Sequence, residues 1–203
     1  MERTAAEKAA PKVAPEEELR AHLYRLLAFH LSAPLEDDEV RAAAGLLGND
    51  TPLGRAVSRF AKIAARTSRA TLREEFQDLF IGVGRGLFVP YGSYYLTGFL
   101  HEKPLAKLRQ DMERLGLVRN ASVSEPEDHI SSVLEMMAGL IDGAYGTPLP
   151  LAEQKTFYAT HVGSWAPYFF RDLEGCQVSP FYAALGGVGR AFMEIEQKAF
   201  EAV

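Results

Sequence analysis

Apolar residues return every three or four positions along most of this chain, and nowhere do they alternate over a strand-length run. Leu19, Leu23, Leu26, Leu27 and Leu31 mark a first helical stripe, opened by Pro15 and Glu16 to Glu18 and stopped before Pro34. A second helix is expected over 36–47, with Gly48-Asn49 as its stop. Thr51-Pro52 opens a third with Leu53, Val57, Phe60 and Ala64 inward, and a fourth runs to about Phe80 through Leu72, Phe76 and Leu79. Residues 82–98 break the pattern with glycines, Pro90 and clustered aromatics. Helical spacing resumes at Pro104 with Leu105, Leu108, Met112 and Leu115, and Gly116 closes it. After a polar loop and the helix described next, a further helix over about 150–164 aligns Phe157, His161 and Trp165. Pro167 starts a short aromatic turn or helix that Gly175 stops. Ser179-Pro180 opens the last helix, with Leu185, Val188, Phe192 and Ile195 inward. The pattern predicts an all-α fold: one bundle-like domain of eight to ten helices over residues 15–203, without internal repeats. Residues 1–14, rich in Ala, Lys and Pro, are expected to be a disordered tail. Residues 82–104 are expected to act as a hinge-like break.

One junction carries more information than the rest. In SEPEDHISSVLEMMAGLI, Ser124 or Glu125 suits a helix cap and Pro126 a first turn, where Glu127 and Asp128 favour the positive end of the dipole. At about 100° per residue, His129, Ile130, Val133, Met136, Met137, Leu140 and Ile141 share one face. Asp128, Ser131, Ser132, Glu135 and Asp142 share the other. His129 is therefore expected to point inward and Asp128 outward. A well-capped amphipathic helix with a core histidine explains most of this by itself.

Composition narrows the classes. The chain has 203 residues, 47% hydrophobic and 24% charged, the balance of a globular protein with a sizeable core. A net charge of −5 argues against general nucleic-acid binding. A single cysteine, Cys176, excludes an internal disulfide framework and a cysteine-based zinc cluster. No apolar run reaches the roughly 18 residues of a membrane span, and the N-terminus lacks the apolar region of a signal peptide. A reducing cytoplasm is the expected setting.

Other constellations are weaker. Gly82, Gly84 and Gly86 follow a helix rather than a strand and lack a Gly-Lys-Ser/Thr, so a flexible connection fits better than a phosphate loop. His22, His30, His101, His129 and His161 lack ligand spacing, and no Glu-x-x-His pair is present, so no metal is expected. A catalytic pair of His129 or His161 with Asp128 or Glu125 has no accompanying nucleophile motif. Arg55, Arg59, Lys62, Arg66, Arg69 and Arg73, on one continuous helix, would fill an arc of about 80°. A solvated face is the simpler reading; a basic strip touching phosphate or an acidic partner is the sharper one. Aromatic clusters at Pro90–Tyr95 and Trp165–Phe170 suit core and apolar groove alike.

Together these segments resemble the TorD/DmsD family of redox-enzyme maturation chaperones, related to NarJ. Glu125-Pro126-x-Asp128-His129 looks like its E-P-x-D-H signature, with the Leu134…Met137 helix behind it. Phe76-x-x-Leu79-Phe80, Val89-Pro90-Tyr91-x-Ser93-x-Tyr95 and His161-x-x-x-Trp165-x-Pro167 resemble three further family motifs in the right order. The resemblance implies an all-helical, cytoplasmic, non-catalytic protein. It would hold the twin-arginine leader of a molybdopterin oxidoreductase, and its apo-form, during cofactor insertion and so delay export. It also implies contact with cofactor-biosynthesis proteins, no cofactor beyond weak GTP binding, and a monomer or domain-swapped dimer. Glu125, Pro126, Asp128 and His129 carry over as signature residues, with Tyr91, Ser93, His161 and Trp165 as groove positions.

A leader with two guanidiniums and an apolar segment asks for a carboxylate rim beside an apolar groove. Outward Asp128 with Glu125 and Glu127 is the expected rim; Met136 and Met137 offer an adaptable wall. Two rivals remain. One is a slow GTP hydrolase using Asp128, His129 and the glycine-rich loop. The other is an assembly scaffold that holds the mature part of the reductase.

Overall fold

A computed structural model describes residues 13–119 and 124–202. Among these residues the secondary structure is entirely helical apart from one isolated antiparallel bridge, Tyr91 to His129. Ten α-helices follow in order: α1 Pro15–His30, α2 Asp37–Ala44, α3 Pro52–Ala64, α4 Arg69–Phe76, α5 Gly92–Thr97, α6 Lys103–Arg114, α7 Ile130–Asp142, α8 Leu151–Phe157, α9 Ala166–Glu174 and α10 Pro180–Glu201. Single π turns, Gln77–Ile81 and Tyr158–Val162, prolong α4 and α8. No helix among the described residues is long and apolar enough to cross a membrane. The tail expected over residues 1–14 lies, up to residue 12, outside the described residues.

Local chemistry sets most helix starts. The hydroxyls of Thr51, Ser68 and Ser179 accept from the backbone N–H of Gly54, Thr71 and Tyr182, at 3.0, 3.1 and 3.0 Å. Glu36 and Glu39 close a capping box at α2. Prolines stand in the first turns of α1, α3, α6, α9 and α10, where no N–H is missed.

The core lies where α10, 22 residues long, packs against α9 and α3 while α1 packs on α7. Tyr24, Phe60, Trp165, Phe169, Phe170, Phe181 and Phe192 fill it. Helices α9 and α10 come close because Gly186 and Gly189 lack side chains. A Cβ on Gly186 would stand 2.3 Å from the Glu174 nitrogen, and one on Gly189 would stand 2.1 Å from the Phe170 ring.

Two expected inward residues face solvent. Leu19 and Ile195 are exposed, and the buried faces of α1 and α10 meet instead around a carboxylate, Glu196, which is fully buried. Arg20 grips it with a two-pronged pair at 2.8 and 2.7 Å, and the Tyr24 hydroxyl donates at 2.8 Å. A periodicity count scores Glu196 as polar and rotates the stripe away from it. Only the tertiary pairing makes its burial tolerable.

The basic strip is likewise not one helix. Ser68 caps a new helix, so Arg55, Arg59 and Lys62 belong to α3, Arg66 to the connection, and Arg69 and Arg73 to α4. Arg69 pairs with Glu36 at 2.9 Å, whereas the other five side chains stand exposed. The break at 82–98 holds α5, whose six residues are too few to show a period. Gly82 (φ +64°) and Gly86 are committed to a tight turn: a Cβ at either would strike backbone atoms of Arg85 or of Leu79 and Phe80.

Candidate functional site

The 125–129 junction is not the first turn of a helix. Helix α7 begins at Ile130, and its cap is His129, whose Nδ1 accepts from the Ser131 N–H at 3.3 Å and meets the Ser131 hydroxyl at 2.7 Å. Upstream, the chain makes a turn closed by His129 N–H to Pro126 C=O at 3.1 Å. It then lies against residues 90–93: Gly92 N–H donates to Asp128 C=O at 2.9 Å, and Ile130 N–H to Pro90 C=O at 2.8 Å. This long-range pairing starts the helix four residues later than the Pro126 signal suggests.

The consequence for Asp128 is a correction. It is 3% exposed, not outward, and its Oδ2 accepts from the Ser93 N–H at 2.7 Å, capping the start of α5 from across the chain. Among the described residues, its Oδ1 and the Ser93 hydroxyl are buried without a hydrogen-bond partner. The helical-wheel argument failed here because residue 128 is not helical. Asp128 is a buried organiser of α5 and no part of an exposed rim.

Two hollows flank the junction. Glu125, Glu127 and His129 face a groove of about 650 Å³ between α1, α7 and residues 117–119, whose walls include Phe29, Val118 and Met136. Asp128 faces the other way, into a cleft of about 440 Å³ with His161, Trp165, Leu108 and Lys107. Tyr91 joins the first side: its hydroxyl donates to Glu125 and its ring stands edge-on to His129 at 5.1 Å. Gly92 joins the second, because a Cβ there would sit 3.0 Å from Trp165 Nε1.

Electrostatics separate the two sides as well. Burial drives the His129 pKa down to about 4, against the pull of Glu125 and Asp128, so the ring is a neutral cap and not a cation. Burial would raise Glu127, yet the Arg109 fork at 3.0 and 2.8 Å outweighs it and holds the carboxyl below its usual range. Glu125, half-exposed on the groove, accepts from the Tyr91 hydroxyl, while burial and the Glu125 contact push the Tyr91 phenol up. Across the groove Arg25 pairs with Asp142 and, at 3.2 Å, with Glu135. On the cleft side, burial lowers His161, which donates from Nε2 to Asp111 at 2.8 Å; Trp165 Nε1–H donates to the His161 carbonyl at 2.7 Å.

The structure thus gathers Tyr91, Glu125 and His129 at one groove. It gathers Ser93, Asp128, His161 and Trp165 behind it, with Pro126 in the turn between. The basic strip lies on other elements and lines neither hollow. Sequence reasoning missed Phe29, Arg25 and Arg109. Phe29 alone carried a signal: it is a large apolar residue off the α1 stripe, 46% exposed.

Residues 47–171 match the family model described as nitrate reductase delta subunit. The chaperone protein TorD of Vibrio atlanticus is 29% identical over 133 residues, 62% of each chain, so that match spans under two thirds of the relative. TorD of Aliivibrio fischeri is 27% identical over 207 residues, 89% of this chain and 94% of the relative. A solved structure described as a putative redox enzyme maturation protein from Archaeoglobus fulgidus superposes with a TM-score of 0.57 at 21% identity. It covers 87% of this chain and 94% of that one, a likeness of fold.

Proposed function

The chain belongs to the nitrate reductase delta subunit family, and on that premise we propose that it is a maturation chaperone for a molybdopterin-dependent oxidoreductase. In this reading it holds the twin-arginine leader of its client in the cytoplasm until the cofactor is inserted, and so delays export. It performs no catalysis.

The observation that carries the reading is the groove between α1 and α7. It joins exposed apolar side chains, Phe29 and Val118, to half-exposed or exposed carboxylates, Glu125 and Glu135. An amphipathic leader helix needs that combination: an apolar trough for its hydrophobic segment and carboxylates for its guanidiniums. Met136 at the floor can repack around differing side chains. The rim passes from Asp128 to Glu125 and Glu135, because Asp128 is buried on the opposite side.

Fluorescence anisotropy with a synthetic Arg-Arg leader peptide tests this. Phe29→Glu and the pair Glu125→Gln/Glu135→Gln, all at accessible positions, are each expected to weaken binding about tenfold or more, as is Arg-Arg→Lys-Lys in the peptide. Unchanged affinity in all three would remove the groove from the mechanism. Binding of leaderless client with no affinity for the leader would support the scaffold reading instead.

A further inference from the structure

Among the described residues, most cations elsewhere are paired with carboxylates, such as Arg20 with Glu196, Arg25 with Asp142, Arg109 with Glu127 and Arg190 with Glu174. Helix α3 is different. Its sequence, PLGRAVSRFAKIA, contains no acidic residue, and Arg55, Arg59 and Lys62 stand exposed along about 10 Å of its outer side. Arg66 follows one turn later and Arg73 on α4, both exposed. Among the described residues none of these five makes an ion pair. Arg55 reaches only the carbonyl of Asp50. Like charges spaced i, i+4 repel, so the row is unfavourable for the isolated fold. It is also set against a net charge of −5 for the whole chain.

Beside the start of the row, the backbone of Gly48 abuts that of Gly54, where an added Cβ would come within 1.8 Å. This close approach fixes the 46–49 connection against α3, and Leu47 in it is 95% exposed. A protruding leucine in the connection that leads into a basic row without ion pairs is a combination that an anionic lipid surface accepts, through apolar insertion and headgroup attraction. The one aromatic of α3, Phe60, is buried, so that helix offers no exposed ring to stack on a base, which disfavours nucleic acid.

From these observations we propose that the outer face of α3, with Leu47, is a reversible docking surface for anionic membrane lipid. The remaining acidic surface is repelled by the same bilayer, so the protein adsorbs in one orientation. This face shares no residue with the groove between α1 and α7, so the leader-binding reading and this one stand or fall separately.

Cosedimentation with phosphatidylcholine vesicles, with and without phosphatidylglycerol, decides it, using the full chain at low ionic strength. Binding is expected to the phosphatidylglycerol vesicles alone. It should disappear as salt shortens the Debye length to about 3 Å. Each basic side chain near such a surface is worth about fivefold, so Arg59→Gln/Arg66→Gln should weaken binding about 25-fold, and the charge reversals more. Leu47→Ser should weaken it less. Equal binding to neutral vesicles, an unaffected double variant, or capture of duplex DNA or an acidic protein without vesicle binding would each overturn the proposal.

Discussion

Glu125 and Asp128 are three residues apart and carry the same functional group, yet the fold uses them in opposite ways. Glu125 is half-exposed on a groove of about 650 Å³ and touches a tyrosine hydroxyl. Asp128 is buried behind the same strip of backbone and bonds a main-chain N–H at the start of α5. One carboxylate is available to a partner; the other is committed to holding two segments together. A shared sequence signature therefore mixes two kinds of importance, and only the direction in which each side chain leaves the turn separates them.

The sharpest way to break this contrast is Asp128→Ala. Loss of a charge-assisted bond to a buried N–H should cost about 2–3 kcal/mol, read from denaturant unfolding. Leader affinity per folded molecule should move less than threefold. A tenfold affinity loss at unchanged stability would reverse the assignment and restore Asp128 as a contact residue.

Next comes His129. Its folded pKa, about 4, lies below the 6.5 of the unfolded chain, so the unfolded state binds the extra proton. The stability is full above pH 6.5, declines as pH falls through that window, and levels off below 4. The loss specific to this ring should reach about 2 kcal/mol by pH 5. Comparing urea midpoints at pH 7.5 and 5 for the native chain and His129→Asn, whose amide keeps a cap, checks it. Identical pH dependence in the two would show that the ring is solvated.

A smaller effect belongs to Gly92. A methyl group there meets the Trp165 indole at 3.0 Å, so Gly92→Ala should destabilise by about 1 kcal/mol as the indole shifts. The change should be visible in tryptophan fluorescence. Smallest in stability is Glu125→Gln, expected within about 0.5 kcal/mol of the parent because the amide still accepts from Tyr91. At Glu125 binding should change and stability should not; at Asp128 the order is inverted.

How legible this was in the sequence depends on the range of the interaction. Thr51-Pro52 and Ser179-Pro180 mark helix starts because a cap bonds three residues along its own chain. The buried face of α7, from Ile130 through Ile141, followed its periodicity for the same reason. Pro126 misled because its signal is equally local while the force acting on it is not. Residues 90–93 pair with 128–130 and hold the turn open until His129. The π turn at 158–162 is similar: it adds a residue to one turn and shifts the phase, yet Phe157, His161 and Trp165 all remain buried.

By itself, then, the chain determined an all-helical fold, most helix starts and stops, and the set of residues gathered around one junction. Those depend on turns, caps and 3.6-residue spacing, which act over a few residues. Tertiary structure alone decided that Asp128 is buried while Glu125 faces a groove, and that Glu196 displaces Ile195 from the core. Both outcomes turn on a partner far along the chain, Ser93 or Arg20, and no local spacing encodes where a distant partner will stand.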